Sequence, residues 1–190
     1  MPKAVTTISA MDASQPERPS PVLAWTSVET RFGPVHIAYS DSCPYFVSLG
    51  SADVFCDWVQ SARKGCVLRW ELAPPQDLQK ALRCLRDPRR SYDGPLALAA
   101  QTPFQRQVLA ATRAIPCGQT RTYGELAAQI GRPRAARAVG TALGHNPLPL
   151  LIPCHRVVAA GPRLGQYSDG GQEMKRRLLA HEGVDVAPLR

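Results

Sequence analysis

The sequence predicts an α+β protein built in two parts, and three observations carry that prediction. Residues 23–49 alternate apolar and polar side chains with a period of two, interrupted by turn residues. Residues 103–182 instead carry apolar stripes at helical spacing, opened twice by the Thr-x-x-Gln/Glu signature of a capping box. Between them Arg86-Asp87-Pro88-Arg89-Arg90-Ser91-Tyr92-Asp93-Gly94-Pro95 is polar and turn-rich, which places a linker there and the start of the second part near Ala100.

In order along the chain, residues 1–20, around Met11-Asp12-Ala13-Ser14-Gln15-Pro16, have no apolar period and are expected to be a flexible tail. Residues 21–99 then read as a small α/β domain with its linker. Ala24-Trp25-Thr26-Ser27-Val28 and Val35-His36-Ile37-Ala38-Tyr39 flank the turn signal Gly33-Pro34, and Tyr45-Phe46-Val47-Ser48-Leu49 follows, giving a meander. Val54 and Trp58 at i, i+4 suggest a short helix. Cys66, Leu68, Trp70 and Leu72 alternate as a strand, Leu78, Leu82 and Leu85 follow helical spacing, and Leu96 to Leu98 suggest a last short strand.

Residues 100–190 form the second domain. Thr102-Pro103-Phe104-Gln105 is a capping box with proline at the first helical position, and Phe104, Val108, Ala111 and Ile115 make one stripe, so a helix runs from Pro103 to about Ala114. Thr122-Tyr123-Gly124-Glu125 opens a second helix with Tyr123, Leu126, Ala127 and Ile130 on its apolar face, and Gly131 ends it. A third helix is expected from Pro133 to Gly144, and the pair joined by so tight a turn reads as a helix-turn-helix. On that third helix Ala135, Ala136, Val139, Ala142 and Leu143 share one side, while Arg134, Arg137 and Thr141 share the other. Small residues beside the arginines let such a helix approach a nucleic-acid backbone closely. A final helix, about Gln172 to Glu182, should turn Met174 and Leu178 inward and Lys175, Arg176 and Arg177 outward.

Charge and cysteine usage narrow the classes. Residues 1–100 carry 11 basic and 10 acidic groups, residues 101–190 carry 12 and 5, so the net charge of +8 belongs almost wholly to the second part and suits a polyanionic partner. No apolar run reaches the roughly 20 residues of a membrane helix and the N-terminus has no signal-peptide core, so a cytoplasmic protein without a membrane partner is expected. Cys43, Cys56, Cys66, Cys84, Cys117 and Cys154 show neither a C-x-x-C pair nor a disulfide framework, and no cofactor or metal is signalled; a zinc site from distant cysteines and His36 is the minor alternative.

The chemistry concentrates at Pro149-Leu150-Leu151-Ile152-Pro153-Cys154-His155-Arg156-Val157-Val158. A cysteine nucleophile acts as a thiolate and needs a base or cation nearby, and His155 and Arg156 are both candidates. If the chain were extended here, neighbouring side chains would point to opposite faces, and His155 would reach the sulfur only through a turn or a bridging water. Asn146 in the turn Gly144-His145-Asn146-Pro147 can bond into the site. The glycine-rich stretch Gly161 to Gly171 is of the kind that lines a pocket, with Tyr167 and Ser168 offering a stacking face and a hydroxyl. Glu182 at a helix C-terminus is opposed by the helix dipole and calls for a specific partner.

Pro153-Cys154-His155-Arg156-Val157 and Ala135-Ala136-Arg137-Ala138-Val139-Gly140 followed by Asn146-Pro147 resemble the O6-alkylguanine-DNA alkyltransferases, or methylated-DNA–protein-cysteine methyltransferases. The likeness covers nearly all of residues 100–183 and is loose over 21–99. It implies a ribonuclease-H-like α/β domain followed by a winged helix-turn-helix-type domain that binds DNA and holds the active site. It also implies single-turnover, direct-reversal repair, in which an alkyl group passes irreversibly from guanine O6, or as a second substrate from thymine O4, to Cys154. In that scheme His155 takes the thiol proton through a water, Glu182 holds His155, and Asn146 positions the thiol. Tyr123 presses on a phosphate and donates to the leaving guanine, while Arg137 enters the duplex as the target base flips out. Ala135, Arg134 and Thr141 join the DNA face, and Tyr167, Ser168, Val157 and Lys175 contact or border the base. The partner is double-stranded DNA carrying alkylated guanine, met by a protein monomeric in solution, with cooperativity on DNA left open. The compartment would be the cytoplasm, at the nucleoid, or the nucleus in a eukaryote. One departure stands out: Ser168-Asp169-Gly170-Gly171 is one residue longer before Lys175 than the family loop.

Three other readings compete. A lesion-binding protein of the same fold would not need Cys154. A cysteine hydrolase would place its histidine far along the chain from the cysteine. A helix-turn-helix regulator would carry the thiol incidentally.

Overall fold

Two turns decide how the first strands fold back on one another in this computed structural model, which describes residues 22–161 and 163–189. β1 (Val22–Thr30) returns as β2 (Gly33–Ser40) through Arg31 and Phe32, with Gly33 at φ 107° and Thr30 Oγ1 donating to the Gly33 carbonyl at 2.6 Å. β2 returns as β3 (Cys43–Leu49) through Asp41 and Ser42, both left-handed at φ 47° and 59°, the two-residue turn whose twist matches an antiparallel hairpin. The expected N-terminal tail, residues 1–20, lies outside the described residues.

The sheet closes with β4 (Val67–Trp70) laid parallel to β1, giving the order β3-β2-β1-β4. The crossover from β3 to β4 is α1 (Ala52–Ala62), capped by Ser51 Oγ accepting from the Val54 amide. Its inward residues are Phe55 and Val59, while Val54 and Trp58, whose spacing suggests the helix, are 66% and 36% exposed. They share a helical row, but the row one residue further on meets the sheet. The strand expected at Cys66 to Leu72 is shorter and lies at the sheet edge, with Trp70 and Leu72 exposed.

The other face of the sheet, Ala24, Val28, Val35, Ile37, Tyr39 and Val47, packs on α2 (Gln79–Arg86) through Leu82 and Leu85 and on Leu78 of the 3-10 turn before it. From there one buried cluster continues without a break into the second half, through Val108, Leu109, Leu126, Val139, Leu151 and Leu178. The turn-rich connection is wound into this assembly: Arg113 donates from Nε and Nη2 to the Tyr92 carbonyl at 2.9 and 2.7 Å. Leu96 to Leu98 form no strand, because a single backbone bond, Ala97 N–H to the Pro44 carbonyl at 2.9 Å, ties them to β3.

In the second half both capping boxes form reciprocally. Thr102 opens α3 (Pro103–Arg113), and Thr122 opens α4 (Tyr123–Gln129), each with its Gln105 or Glu125 side chain reaching back. α5 (Ala136–Gly144) starts three residues later than Pro133 suggests. Gly131 at φ 72° lets Arg132 N–H close back on Ala127 O, and Ala135 N–H bonds to Arg132 O as a turn, so helical hydrogen bonding begins only at Val139 N–H to Ala135 O. Arg134 therefore lies before the helix and Ala135 at its N-cap. A two-residue parallel pair, β5 (Arg121–Thr122) with β6 (Val157–Val158), precedes α6 (Gly171–His181).

Candidate active site

Asn146 folds the segment that delivers the cysteine. Its Oδ1 accepts from Leu148 N–H at 3.1 Å, and its Nδ2 donates to Ile152 O at 3.0 Å and to Cys154 Sγ at 3.2 Å. The intervening turn forces Leu150, a buried non-glycine residue, to φ 69°, a conformation costing roughly 1–2 kcal/mol that the surrounding contacts must offset. A 3-10 turn, Cys154–Arg156, follows, so the chain is not extended here and the sulfur and imidazole are not thrown to opposite faces.

Glu182 caps the C-terminus of α6, where the helix dipole disfavours a carboxylate, and finds three donors, His155, Arg156 and the Gly118 amide at 3.4 Å. His155 Nε2 donates to Oε1 at 2.8 Å, and Arg156 donates from Nε to Oε2 at 2.9 Å and from Nη2 to Oε1 at 2.9 Å. Burial pushes the Glu182 carboxyl up, but these hydrogen bonds outweigh it and hold it at about 2. Burial pushes His155 below its ordinary value despite the carboxylate beside it, so the resting pair is a neutral imidazole against an ionised Glu182. With Nε2–H committed to Glu182, Nδ1 keeps its lone pair, and it has no hydrogen-bond partner among the described residues.

Cys154 is 7% exposed, and burial pushes its thiol up to about 11, against the Asn146 donor and the nearby Lys175 charge. The resting form is thus the thiol, which resists casual oxidation, and the thiolate must be generated as the reaction proceeds, with His155 Nδ1 as the available base. The sulfur lies on a cavity of about 220 Å³ that Tyr123, Leu143, Gln166, Tyr167 and Ser168 also line, with Gly140 and Gly144 of α5. That volume is below the roughly 300–1,000 Å³ of drug-sized pockets and suits a single planar base. Tyr123 is pushed up by burial and by Cys154 beside it, so its hydroxyl remains a donor; Tyr167, also pushed up by burial, stands edge-on to His155 at 6.5 Å, and its buried hydroxyl has no partner among the described residues.

The remaining expected site residues fall in three places. Arg137 and Thr141 are exposed on α5, on the same helical row as the cavity-lining Gly140 and Gly144; Arg134 is exposed in the turn before it, and Ala135 is half-buried against the core. Val157 is buried and does not line the cavity. Lys175, expected outward on α6, is fully buried: its ammonium donates to Val157 O at 2.6 Å and Gln166 O at 3.2 Å, and burial pushes it down to about 8. The apolar environment is tolerable because two carbonyls and the Tyr123 ring, 5.8 Å away, receive the charge.

Sequence reasoning gave Arg156 no anchoring role. It is 2% exposed, spans from Glu182 to the carbonyls of Ile115 and Pro88, and so ties the active-site turn to α3's end and to the connection. His36, the zinc alternative, has both ring nitrogens hydrogen-bonded, to Ser27 Oγ and Gly50 O, and no group of three or more metal-binding side chains occurs among the described residues.

Residues 103–184 match the family model described as 6-O-methylguanine DNA methyltransferase, DNA binding domain. A methylated-DNA–protein-cysteine methyltransferase of Salmonella typhimurium is 58% identical over 82 residues, which is 43% of this chain and 47% of that protein, so the chain spans about half the length of the curated relatives it matches. Over the longer span, the structure of Mycobacterium tuberculosis OGT in complex with DNA is similar with a TM-score of 0.68 at 32% identity, covering 87% of this chain and 94% of that one. The O6-methylguanine-DNA methyltransferase of Pyrococcus kodakaraensis has a TM-score of 0.67 at 26% identity, covering 84% and 99%.

Proposed function

This chain belongs to the 6-O-methylguanine DNA methyltransferase family, and we propose that it repairs DNA by taking an alkyl group from guanine O6 onto Cys154 in one irreversible event. The observation that carries the proposal is the position of the Cys154 sulfur on a base-sized cavity that Gly140 and Gly144, on the Arg137 row of α5, help to line, backed by the His155–Glu182 pair.

The chemistry follows from the groups present. The thiol proton moves toward His155 Nδ1, by way of a water, as sulfur attacks the alkyl carbon; the carbon–O6 bond breaks and the electron pair stays on the guanine, which accepts a hydrogen bond or proton from Tyr123. Glu182 stabilises the imidazolium that results, and Asn146 donates to the developing thiolate. The thioether has no leaving group, so the protein is consumed. A base stacked in a duplex cannot enter such a cavity, so the target must flip out at a cost of a few kcal/mol, least for a weakly paired lesion, with Arg137 filling the space. Minor-groove contact by α5 is nearly blind to sequence, which suits a scanner.

The finer architecture belongs to the same proposal. The strand order β3-β2-β1-β4, with β4 parallel to β1, supports a ribonuclease-H-like first domain. The α4–α5 pair beside the small β5–β6 ladder supports a winged helix-turn-helix in the second. Double-stranded DNA is the proposed partner, bound by a cytoplasmic monomer.

The test is direct. The protein is incubated with a duplex carrying O6-methylguanine and digested, and the peptide bearing Cys154 is weighed. A methyl-sized gain that disappears in Cys154→Ser supports repair; tight binding with an unchanged peptide supports a lesion binder instead.

A further inference from the structure

The outer edge of β3 carries the inference. Val47 and Leu49 pair across the sheet with Ile37 and Val35 of β2 on one side, so, two residues apart, both turn their amides outward at the sheet edge. Edge amides are ordinarily left to solvent. Here Val47 N–H donates to Pro147 O at 2.8 Å, next to the Asn146 that bonds the sulfur, and Leu49 N–H donates to Asp169 Oδ2 at 2.9 Å, next to the cavity-lining Ser168. Ser48 Oγ completes the second contact by donating to Asp169 Oδ1 at 2.9 Å. One strand of the first domain thus holds both the residue beside the sulfur's Asn146 donor and the residue beside Ser168 in the cavity wall.

The neighbours of Asp169 explain why a clamp is needed. Gly170 and Gly171 follow with φ 98° and 70°, a flexible pair, and on the other side the Gln166 carbonyl accepts from Lys175. Between those points Tyr167 packs in the core and edge-on to His155, and Asp169 supplies the side-chain contacts that tie the Ser168 end of this wall to β3.

Resting on the repair reading, we infer that Asp169 is a positioning residue for alkyl transfer: it locks the Tyr167–Ser168 wall of the cavity to β3 so that an everted base meets the sulfur in line. Asparagine can reproduce the clamp, its oxygen accepting from Leu49 N–H and its amide donating to a turned Ser48 hydroxyl. Alanine cannot. Because Asp169 also lies close enough to raise the Cys154 thiol, its removal should not make the sulfur intrinsically less reactive.

The experiment compares wild type, Asp169→Asn, Asp169→Ala and Ser48→Ala at saturating O6-methylguanine duplex, with iodoacetamide labelling of Cys154 measured in parallel. A misplaced wall of about 1 Å slows transfer roughly 100-fold. Asp169→Ala should therefore lose between tenfold and 100-fold in rate at saturation with unchanged duplex affinity, while iodoacetamide labelling is as fast or faster. Asp169→Asn should restore the rate, and Ser48→Ala should show a smaller loss of the same kind. If Asp169→Ala does not fold, the Ser48→Ala and Asp169→Asn pair decides in the same way. A rate equal to wild type in the alanine variants, or an Asp169→Asn as slow as Asp169→Ala, overturns the role. A wild type that accepts no methyl group overturns the repair reading and this role together, whereas a working wild type beside an equally fast Asp169→Ala overturns this role alone.

Discussion

Replacing Asn146 by alanine separates two roles that the geometry assigns to one side chain. Its Nδ2 donates to Cys154 Sγ at 3.2 Å, and the same amide bridges Leu148 N–H and Ile152 O. A hydrogen bond to a charged acceptor contributes about 1.5–3 kcal/mol, and at about 1.4 kcal/mol per pKa unit its loss raises the thiol by roughly one to two units. The thiol already stands at about 11, so throughout the neutral range the thiolate fraction falls tenfold for each unit gained. Asn146→Ala should therefore transfer methyl roughly 10–100 times more slowly at any pH from 6 to 9. Iodoacetamide, which is small enough to reach the sulfur without an everted base, should label Cys154 more slowly by the same factor. A slow transfer with undiminished labelling would mean that Asn146 serves only to fold the turn, and would refute the electrostatic argument. The two stranded backbone groups lower stability as well, by about 1–3 kcal/mol each, so the comparison is made where circular dichroism shows the variant folded.

Three further outcomes follow from the same geometry. Glu182→Gln breaks a buried pair with Arg156 and should lower stability by about 3–5 kcal/mol in urea denaturation at pH 7. Because Glu182 is held at about 2, its contribution is fully present above the ordinary carboxyl value of 4.5 and lost as pH falls towards 2, so the gap between the two proteins should close over that window; a gap unchanged by acid would count against it. Arg137→Ala should weaken action on duplex substrate by at least the factor of about ten that one lost polar contact commands, while leaving free O6-benzylguanine unaffected, and equal losses on both would sink the finger role. Gly170→Ala places a Cβ 2.8 Å from Met174 Cβ at φ 98°, so it should destabilise by more than the roughly 1–2 kcal/mol of the left-handed conformation alone. Adding Met174→Ala, which removes Met174 Cγ at 3.1 Å but keeps its Cβ, should recover only part of the excess, a split readable from denaturation midpoints.

What could be read from residues alone follows the reach of the interactions. Capping boxes, glycine stops and the Cys154-His155 adjacency act within a few positions, and the helices at Pro103 and Tyr123 begin where those signals put them. The start of α5 was misjudged because Pro133 fits a first helical turn by its own φ, whereas the Arg132 N–H to Ala127 O bond that delays the helix depends on how the preceding helix ends. The inward row of α1 is not legible in the chain, since Val54 and Trp58 satisfy the spacing as well as Phe55 and Val59 do, and only the sheet chooses between them.

Lys175 shows the harder limit. A lysine followed by two arginines reads as surface, and its burial is explained by carbonyls at Val157 and Gln166 that are nine and more residues distant. The same holds for Arg156, whose partners are Glu182, Ile115 and Pro88, and for Asp169, whose partners lie 120 residues back on β3. In each case the local sequence supplies the charged group and a distant backbone supplies the reason it is bearable there. A buried charge without such partners would be costly enough to be rejected. Long-range satisfaction of a polar group by backbone is therefore what ties the sheet to the sulfur, and it leaves no periodic trace in the chain.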